Sequence, residues 1–485
     1  MLLVTMMTVN TGCHSVNKSE TAQNPNFLFI LVDDLGKEWI SLTGADSVQT
    51  PTIDKLAETG MEFQNVYSMP QCTPSRVALL TGTYPYNNGW INHFDVPRWG
   101  HGARFDPQRN ITFAHVLRDA GYKTCAAGKW QINDFRLEPE AMVDAGFDEY
   151  CMWTGGEGAN EEISGKRYWD PYIHTSQGSK VYEGQFGPDI FADFIIHFMN
   201  EHKDEPMMIY YPMVLTHGPL VHTPLEPDAS AKMEKHKAMV RYADHIVSRL
   251  VNELEQLGIR NNTYLIFTTD NGTAGNIVGS RNGIPTRGGK TFLSENGVNA
   301  PFVVNAPGLV KAGTRSDALV DFTDIFPTLT DLAGVELKDE MALDGVSFAA
   351  VLNGTGEGTR DWILTMGSLS GMVGDDGMLR NWYSFRDRAI RGKRYKIYVD
   401  TLKQINRLFD LRADPRELEN LLEDQEMKNI LTSLQKVVEE LPDMDNQPDY
   451  EKLDTSFYDV SLEYLVRSHQ KNVGRSNMSP PVKLP

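Results

Sequence analysis

Short apolar runs that break off into charged or amide residues recur along this chain. Phe27 to Val32 (FLFILV) is unbroken and predicts a strand buried on both faces, and it stops at Asp33-Asp34-Leu35-Gly36. Lys123 to Ala127 is a weaker run leading into Gly128-Lys129-Trp130-Gln131. Met207 to Val214 precedes Thr216-His217-Gly218-Pro219, and Tyr264 to Thr268 precedes Asp270-Asn271-Gly272. Between the last two runs, Met239, Ala243, Ile246, Val247, Leu250, Leu254 and Leu257 fall on one helical face, and Gly258 stops that helix. Strand, helix and strand in this alternation predict a doubly wound α/β sheet sandwiched by helices. In such sheets ligands bind beyond the carboxyl ends of the strands, which is where these charged residues fall.

The pattern changes near residue 350. Gly354 to Gly358 (GTGEG) reads as a linker. Ala389-Ile390, Tyr395 to Val399 and Arg407 to Leu411 are short alternating runs that predict a small antiparallel sheet. Leu418 to Leu441 has helical spacing, and His469 to Pro485 reads as a polar tail. The expected organisation is a leader and tether over 1–24, a catalytic α/β domain over 25–353, and a C-terminal sheet-plus-helix subdomain over 354–485.

Composition narrows the function. The chain has 485 residues, with 46 Lys and Arg against 65 Asp and Glu, a net charge of −19. That acidity argues against nucleic-acid partners, so an anionic ligand needs a local basic cluster. Four cysteines, Cys13, Cys72, Cys125 and Cys151, are too few for a disulfide framework. Cys125 and Cys151 are open to two readings, a disulfide in an oxidising compartment or two buried thiols. The opening MLLVTMMTVNTGC is apolar, then small, and ends at Cys13, although it lacks the basic n-region of a signal peptide. It resembles the tail of a bacterial lipoprotein signal with a lipid-modified Cys13, so export is expected, to the periplasm, the cell envelope or the medium. No later segment is long and apolar enough to span a bilayer.

Candidate chemistry gathers at the polar breaks. Asp33, Asp34, Asp270 and Asn271 offer hard oxygen ligands that suit Ca²⁺ or Mg²⁺ rather than Zn²⁺. Arg76, Lys129 and Lys290, the last two in glycine-flanked contexts, are natural partners for a tetrahedral oxyanion. Cys72 opens Cys72-Thr73-Pro74-Ser75-Arg76, where Thr73 suits a helix N-cap and Pro74 the first helical position.

This motif resembles the C-x-P-S-R signature of the sulfatase family. The same family order is followed by Asp33-Asp34, Leu80-Thr81-Gly82, Gly128-Lys129-Trp130, Thr216-His217-Gly218-Pro219, Thr269-Asp270-Asn271-Gly272 and Gly289-Lys290. Leu408-Phe409-Asp410-Leu411, Asp414-Pro415, Glu417 and Asn420-Leu421 match its closing subdomain. The resemblance implies an alkaline-phosphatase-like fold and hydrolysis of sulfate esters. It implies that a formylglycine-generating enzyme of the host oxidises Cys72 to formylglycine, whose hydrate attacks sulfur. It implies Ca²⁺, with Mg²⁺ the less expected ion, held by Asp33, Asp34, Asp270, Asn271 and the modified Cys72. Arg76, Lys129 and Lys290 would then stabilise sulfate oxygens, and His217 would protonate or hold the leaving group.

One position departs from the family pattern: Gln131 stands where G-K-W-H carries a histidine thought to act as a base. A glutamine amide has no basic function near neutral pH. Either His93, His101 or His222 supplies the base, or collapse of the hydrate proceeds through water, or the chain is a weak or inactive relative. At the substrate end, Trp90 to Arg109 and Met152 to His174 are dense in rings and basic groups. From this density, His93, Arg98, His101 and Arg287 are expected to grip a sulfated poly- or oligosaccharide. A phosphonate or phosphodiester hydrolase of the same superfamily and a non-catalytic glycan-binding relative are the alternative readings.

Overall fold

The computed structural model describes residues 24–90, 105–156, 161–338, 340–367, 372–373, 379–380 and 383–446. Cys13 and the expected tether, His93, Arg98 and His101, and the tail from His469 lie outside the described residues.

The unbroken apolar run forms β1 (Asn26–Val32), and its residues divide between two cores. Phe27, Phe29 and Leu31 face one side, where the helices Cys72–Thr81, Phe113–Asp119 and Ile325–Leu332 pack. Leu28, Ile30 and Val32 face the other, against the helices Pro51–Glu58, Gly187–His202 and Lys232–Gln256. Alternation of side chains along a strand therefore buries both faces, which explains why the run carries no polar residue. Each large apolar side chain so buried contributes roughly 2 kcal/mol.

The other strands of the large sheet are β2 (Met61–Tyr67), β3 (Lys123–Lys129), β4 (Glu149–Trp153), β5 (Tyr172–Thr175), β6 (Gly178–Val181), β7 (Met207–Pro212) and β8 (Thr263–Thr269), followed by Phe302–Asn305 and Thr314–Asp321. They form one ten-stranded sheet in the order Thr314–Asp321, β2, Phe302–Asn305, β8, β1, β7, β3, β4, β5, β6. The sheet is mixed: Phe302–Asn305 runs antiparallel to both neighbours, and β5 and β6 form an antiparallel edge. The central four, β8, β1, β7 and β3, are parallel, so their carboxyl ends open on one edge of the sheet. Cys125 and Cys151, on β3 and β4, are free buried thiols, which settles the open reading of this pair.

A four-stranded antiparallel sheet follows, in the order Trp362–Met366, Arg388–Gly392, Tyr395–Val399, Ile405–Asp410. The helix Lys428–Glu440 covers it through Leu434 and Val438, and the same core takes in Met69, Ala78 and Tyr84 from around the Cys72 helix.

Two local expectations are corrected. The Cys72 helix begins at Cys72 itself with Gln71 as its cap, so Thr73 and Pro74 lie in the first turn. Proline is tolerated there because first-turn amides lack helical partners. The helix that carries the Met239–Leu257 stripe runs from Lys232 to Gln256. Helix does not extend back to Leu418, because Asp414 Oδ2 accepts from the amides of Leu418 and Glu419, and Asn420 Oδ1 from Leu408 and Leu422. Side chains that take backbone donors in this way favour turns over helix.

Candidate active site

Every strand of the central four ends in a residue of the site. Asp33 and Asp34 follow β1, Asp270 and Asn271 follow β8, Lys129 closes β3, and His217 follows β7. The helix Cys72–Thr81 brings in Cys72 from its first residue and Arg76 one turn later. Lys290 comes from the segment after the hairpin 278–287. Asp34, Gln131 and Thr291 adopt left-handed backbone (φ 60°, 62° and 77°), and Thr291, beside Lys290, is held by its amide on Pro70 O at 2.8 Å. Left-handed non-glycine residues gather at functional sites, where surrounding structure offsets their cost.

The charges interlock. Lys129 Nζ donates to Asp33 Oδ2 at 2.7 Å with both side chains fully buried. Arg76 donates through Nη2 to Asp270 Oδ2 at 2.8 Å and through Nη1 to Lys129 O at 2.9 Å. Lys290 Nζ lies 2.7 Å from Asp34 Oδ1, and Asn271 Nδ2 donates to that same oxygen at 2.8 Å. His217 Nε2 sits 3.6 Å from Asp34 Oδ2, and Arg167 Nη1 meets His217 Nδ1 at 3.1 Å. Burial opposes ionisation of Asp33, but Lys129 and Arg76 hold it far below the usual carboxylate range. Asp270 goes the other way: burial and then the Asp33 charge push it up to about 7. Burial and the Lys290 ammonium press His217 down to about 3, so its imidazole is neutral.

The donor set fits a hard cation. Among the described residues Asp33 Oδ1 and Asn271 Oδ1 are buried acceptors that no hydrogen-bond donor reaches. Buried oxygens of this kind are normally satisfied, and Ca²⁺ or Mg²⁺ takes such ligands. Ligand atoms of Asp33, Cys72 and Asp270 lie within 4.8 Å of one another, as do those of Asp33, Asp34 and His217. Arg76 Nε is likewise buried and without an acceptor, a donor available to an anion.

Cys72 Sγ donates to Gln131 Oε1 at 3.2 Å, so the residue that departs from the family pattern touches the residue at the head of the motif. Gly155 leaves room for Gln131 here, since a Cβ at 155 would stand 2.7 Å from Gln131 Cβ. Among the described residues no hydrogen bond joins His222 to Cys72 or Gln131; its carbonyl accepts from Trp169 Nε1 at 3.2 Å.

Substrate-side residues fall differently from the expectation. Arg287 is exposed on the hairpin, with its Nε on Gly275 O. Arg167 and Tyr168, from the ring-rich stretch, buttress His217: Arg167 stacks 3.7 Å above Trp153, and Tyr168 hydroxyl meets His217 O at 2.5 Å. A cleft of about 590 Å³ opens from Asp34, His217 and Lys290 and is walled by Leu220, Lys232, Lys235 and Ile277. Sequence reasoning passed over Lys232 and Lys235, because Lys232-Met-Glu-Lys-His-Lys237 reads as the solvated start of a helix.

Fold and site together define a hydrolase of the alkaline-phosphatase-like class. The sulfatase profile matches residues 25–335, and the profile described as N-sulphoglucosamine sulphohydrolase, C-terminal, matches residues 288–444. Arylsulfatase J of Mus musculus is 28% identical over 66% of this chain, a match spanning 54% of that protein. The N-acetylglucosamine-6-O-sulfatase of Bacteroides thetaiotaomicron is 23% identical over 90% of each chain. The crystal structure of Ps i-CgsB in complex with k-i-k-neocarrahexaose superposes with a TM-score of 0.72 at 24% identity, covering 90% of this chain and 96% of that one. This chain belongs to the sulfatase family and is a sulfuric ester hydrolase.

Proposed function

We propose that the chain removes sulfate from a carbohydrate, using a formylglycine made from Cys72 and a bound Ca²⁺. The observation that carries this reading is the placement of Cys72 at a helix start, its ligand atom within 4.8 Å of those of Asp33 and Asp270, inside a ring of buried cations. Asp33, Asp34, Asp270, Asn271 and residue 72 would hold the ion, which supplies Lewis acidity toward sulfate oxygens. Formylglycine supplies a nucleophilic hydroxyl in place of a thiol.

The chain's own residues do the rest. The amides at the start of the Cys72 helix and the Arg76 guanidinium favour an anion at that end. Lys129 pairs with Asp33 and Lys290 with Asp34, so charge developing on sulfate oxygens meets ammonium groups already desolvated and in place. His217, braced by Arg167 and Tyr168, faces the cleft that the leaving alcohol would occupy, where its neutral imidazole holds that oxygen by a hydrogen bond. The sugar is supported by the name of the Bacteroides relative, an N-acetylglucosamine-6-O-sulfatase.

Peptide mass spectrometry of protein from its native host tests the nucleophile. Maturation lowers the Cys72 peptide by about 18 Da as the thiol becomes an aldehyde, and the matured protein should hydrolyse an aryl sulfate until a chelator removes its metal. A persistent thiol at Cys72 in that host would overturn the reading.

A further inference from the structure

The cleft beyond His217 is basic in a chain whose net charge is −19. Three lysines, Lys232, Lys235 and Lys290, line it against one aspartate, Asp34, which Lys290 already neutralises. Two acids of the same segment are engaged elsewhere. Glu234 folds back to accept from the amides of Ala231 and Ser230 at 3.0 and 3.3 Å, and Glu226 is paired with Arg241. Lys232 reaches across the cleft to Asn276 O at 3.0 Å, which uses one of its three N–H donors. Lys235 makes no ion pair among the described residues. Leu220 and Ile277 give the same cleft an apolar wall. A space of about 590 Å³ exceeds what one sulfate group fills, and it is continuous with His217 and Lys290.

We infer that this cleft is a second anion subsite, in which Lys232 and Lys235 take a sulfate or carboxylate group carried by the sugar chain beside the sulfate ester held at Cys72. The inference rests on the glycan-sulfatase reading above and specifies its substrate as one with at least two anionic groups. The apolar wall lies against the C–H face of the ring while the lysines, as mobile point charges, accept either anion.

Inhibition of aryl-sulfate hydrolysis by the matured full-length enzyme tests this, with inorganic sulfate, sucrose octasulfate and tetragalacturonate as probes. In K232A/K235A the Ki for sucrose octasulfate relative to that for inorganic sulfate should rise at least about fivefold. A parallel loss for tetragalacturonate marks the subsite as open to carboxylates, and a loss confined to the octasulfate marks it as a sulfate subsite. K203A, at the opposite edge of the sheet, should leave both constants as in wild type. An unchanged ratio in K232A/K235A, or a loss equal to that in K203A, overturns the inference. If matured wild-type protein hydrolyses no aryl sulfate, the sulfatase mechanism fails on its own. Calorimetric binding of sucrose octasulfate to the same variants then still decides the subsite.

Discussion

Lys396 should be the costliest single charge to remove outside the active site. Its side chain is fully buried on the C-terminal sheet, where Nζ lies 3.1 Å from Glu295 Oε1 and 3.0 Å from Glu417 Oε1. Arg391 completes the group at 2.9 Å from Glu295 Oε2, so two cations balance two carboxylates. K396M keeps the apolar stem and leaves one buried negative charge uncompensated, which costs about 3–5 kcal/mol. A second route gives the same size. Burial alone would raise the Glu295 carboxyl, but Lys396 and Arg391 draw it from 4.5 down to about 2. At 1.36 kcal/mol per unit of pKa, the net shift is about 3 kcal/mol after burial, both cations and the hydrogen bonds from Tyr67 and Asn299 have acted together. Because the folded carboxyl lies below its unfolded value, this stability is present above about pH 4.5 and lost as pH falls toward 2. Urea unfolding of wild type, K396M, E417Q and K396M/E417Q measures the effect. The double variant restores charge balance and should recover at least half of the K396M loss. The gap between wild type and K396M should narrow as pH drops from 4.5 toward 2. A K396M loss under about 1 kcal/mol, or a double variant no more stable than K396M, would refute the reasoning.

Two substitutions at the carboxyl end of β3 give further tests. Gly128 has φ +119°, and a Cβ there would lie 2.1 Å from the backbone oxygen of Pro212, so G128A should cost at least about 3 kcal/mol or prevent folding. A melting temperature within about 2 °C of wild type would show that the two strands yield instead. Q131H puts an imidazole against residue 72 at a left-handed position that histidine tolerates, and kcat should rise with a new ionisation near about 6.5 in its pH profile. An unchanged profile would show that proton removal does not depend on this position.

What the chain discloses before folding depends on which element carries the residue. Asp33-Asp34 and Asp270-Asn271 were legible because each follows a buried strand whose apolar run ends without ambiguity, and a parallel sheet puts such ends on one edge. Cys72 was legible as a helix start but misplaced by two positions. Thr73 is a good local cap, yet Ser75 instead donates its hydroxyl toward Met69 O and Gln71 O, and the Thr73 hydroxyl is left buried without a partner. Local propensity names the cap, and packing of the preceding turn overrides it. The stretch Met152 to His174 read as substrate-facing because rings and basic groups crowd it; in the fold part of that crowd supports His217, since Trp153 offers the face on which Arg167 stacks.

Lys232 and Lys235 were beyond reach for the opposite reason. Nothing within Lys232-Met-Glu-Lys distinguishes a cleft wall from a solvated helix start, because charge at a helix N-terminus is ordinary. Their place beside the site follows from the loop after β7, which carries His217 outward to Leu220 and returns the chain as the Lys232–Gln256 helix. Lys232 then meets Asn276, which follows β8, so the cleft wall joins segments that trail two separate strands. Asp33, Asp34, Lys129, Asp270 and Asn271 sit at strand ends and so inherit their positions from hydrophobic pattern. The groups that would choose among sugars sit where chain paths cross, and only the folded molecule brings those paths together.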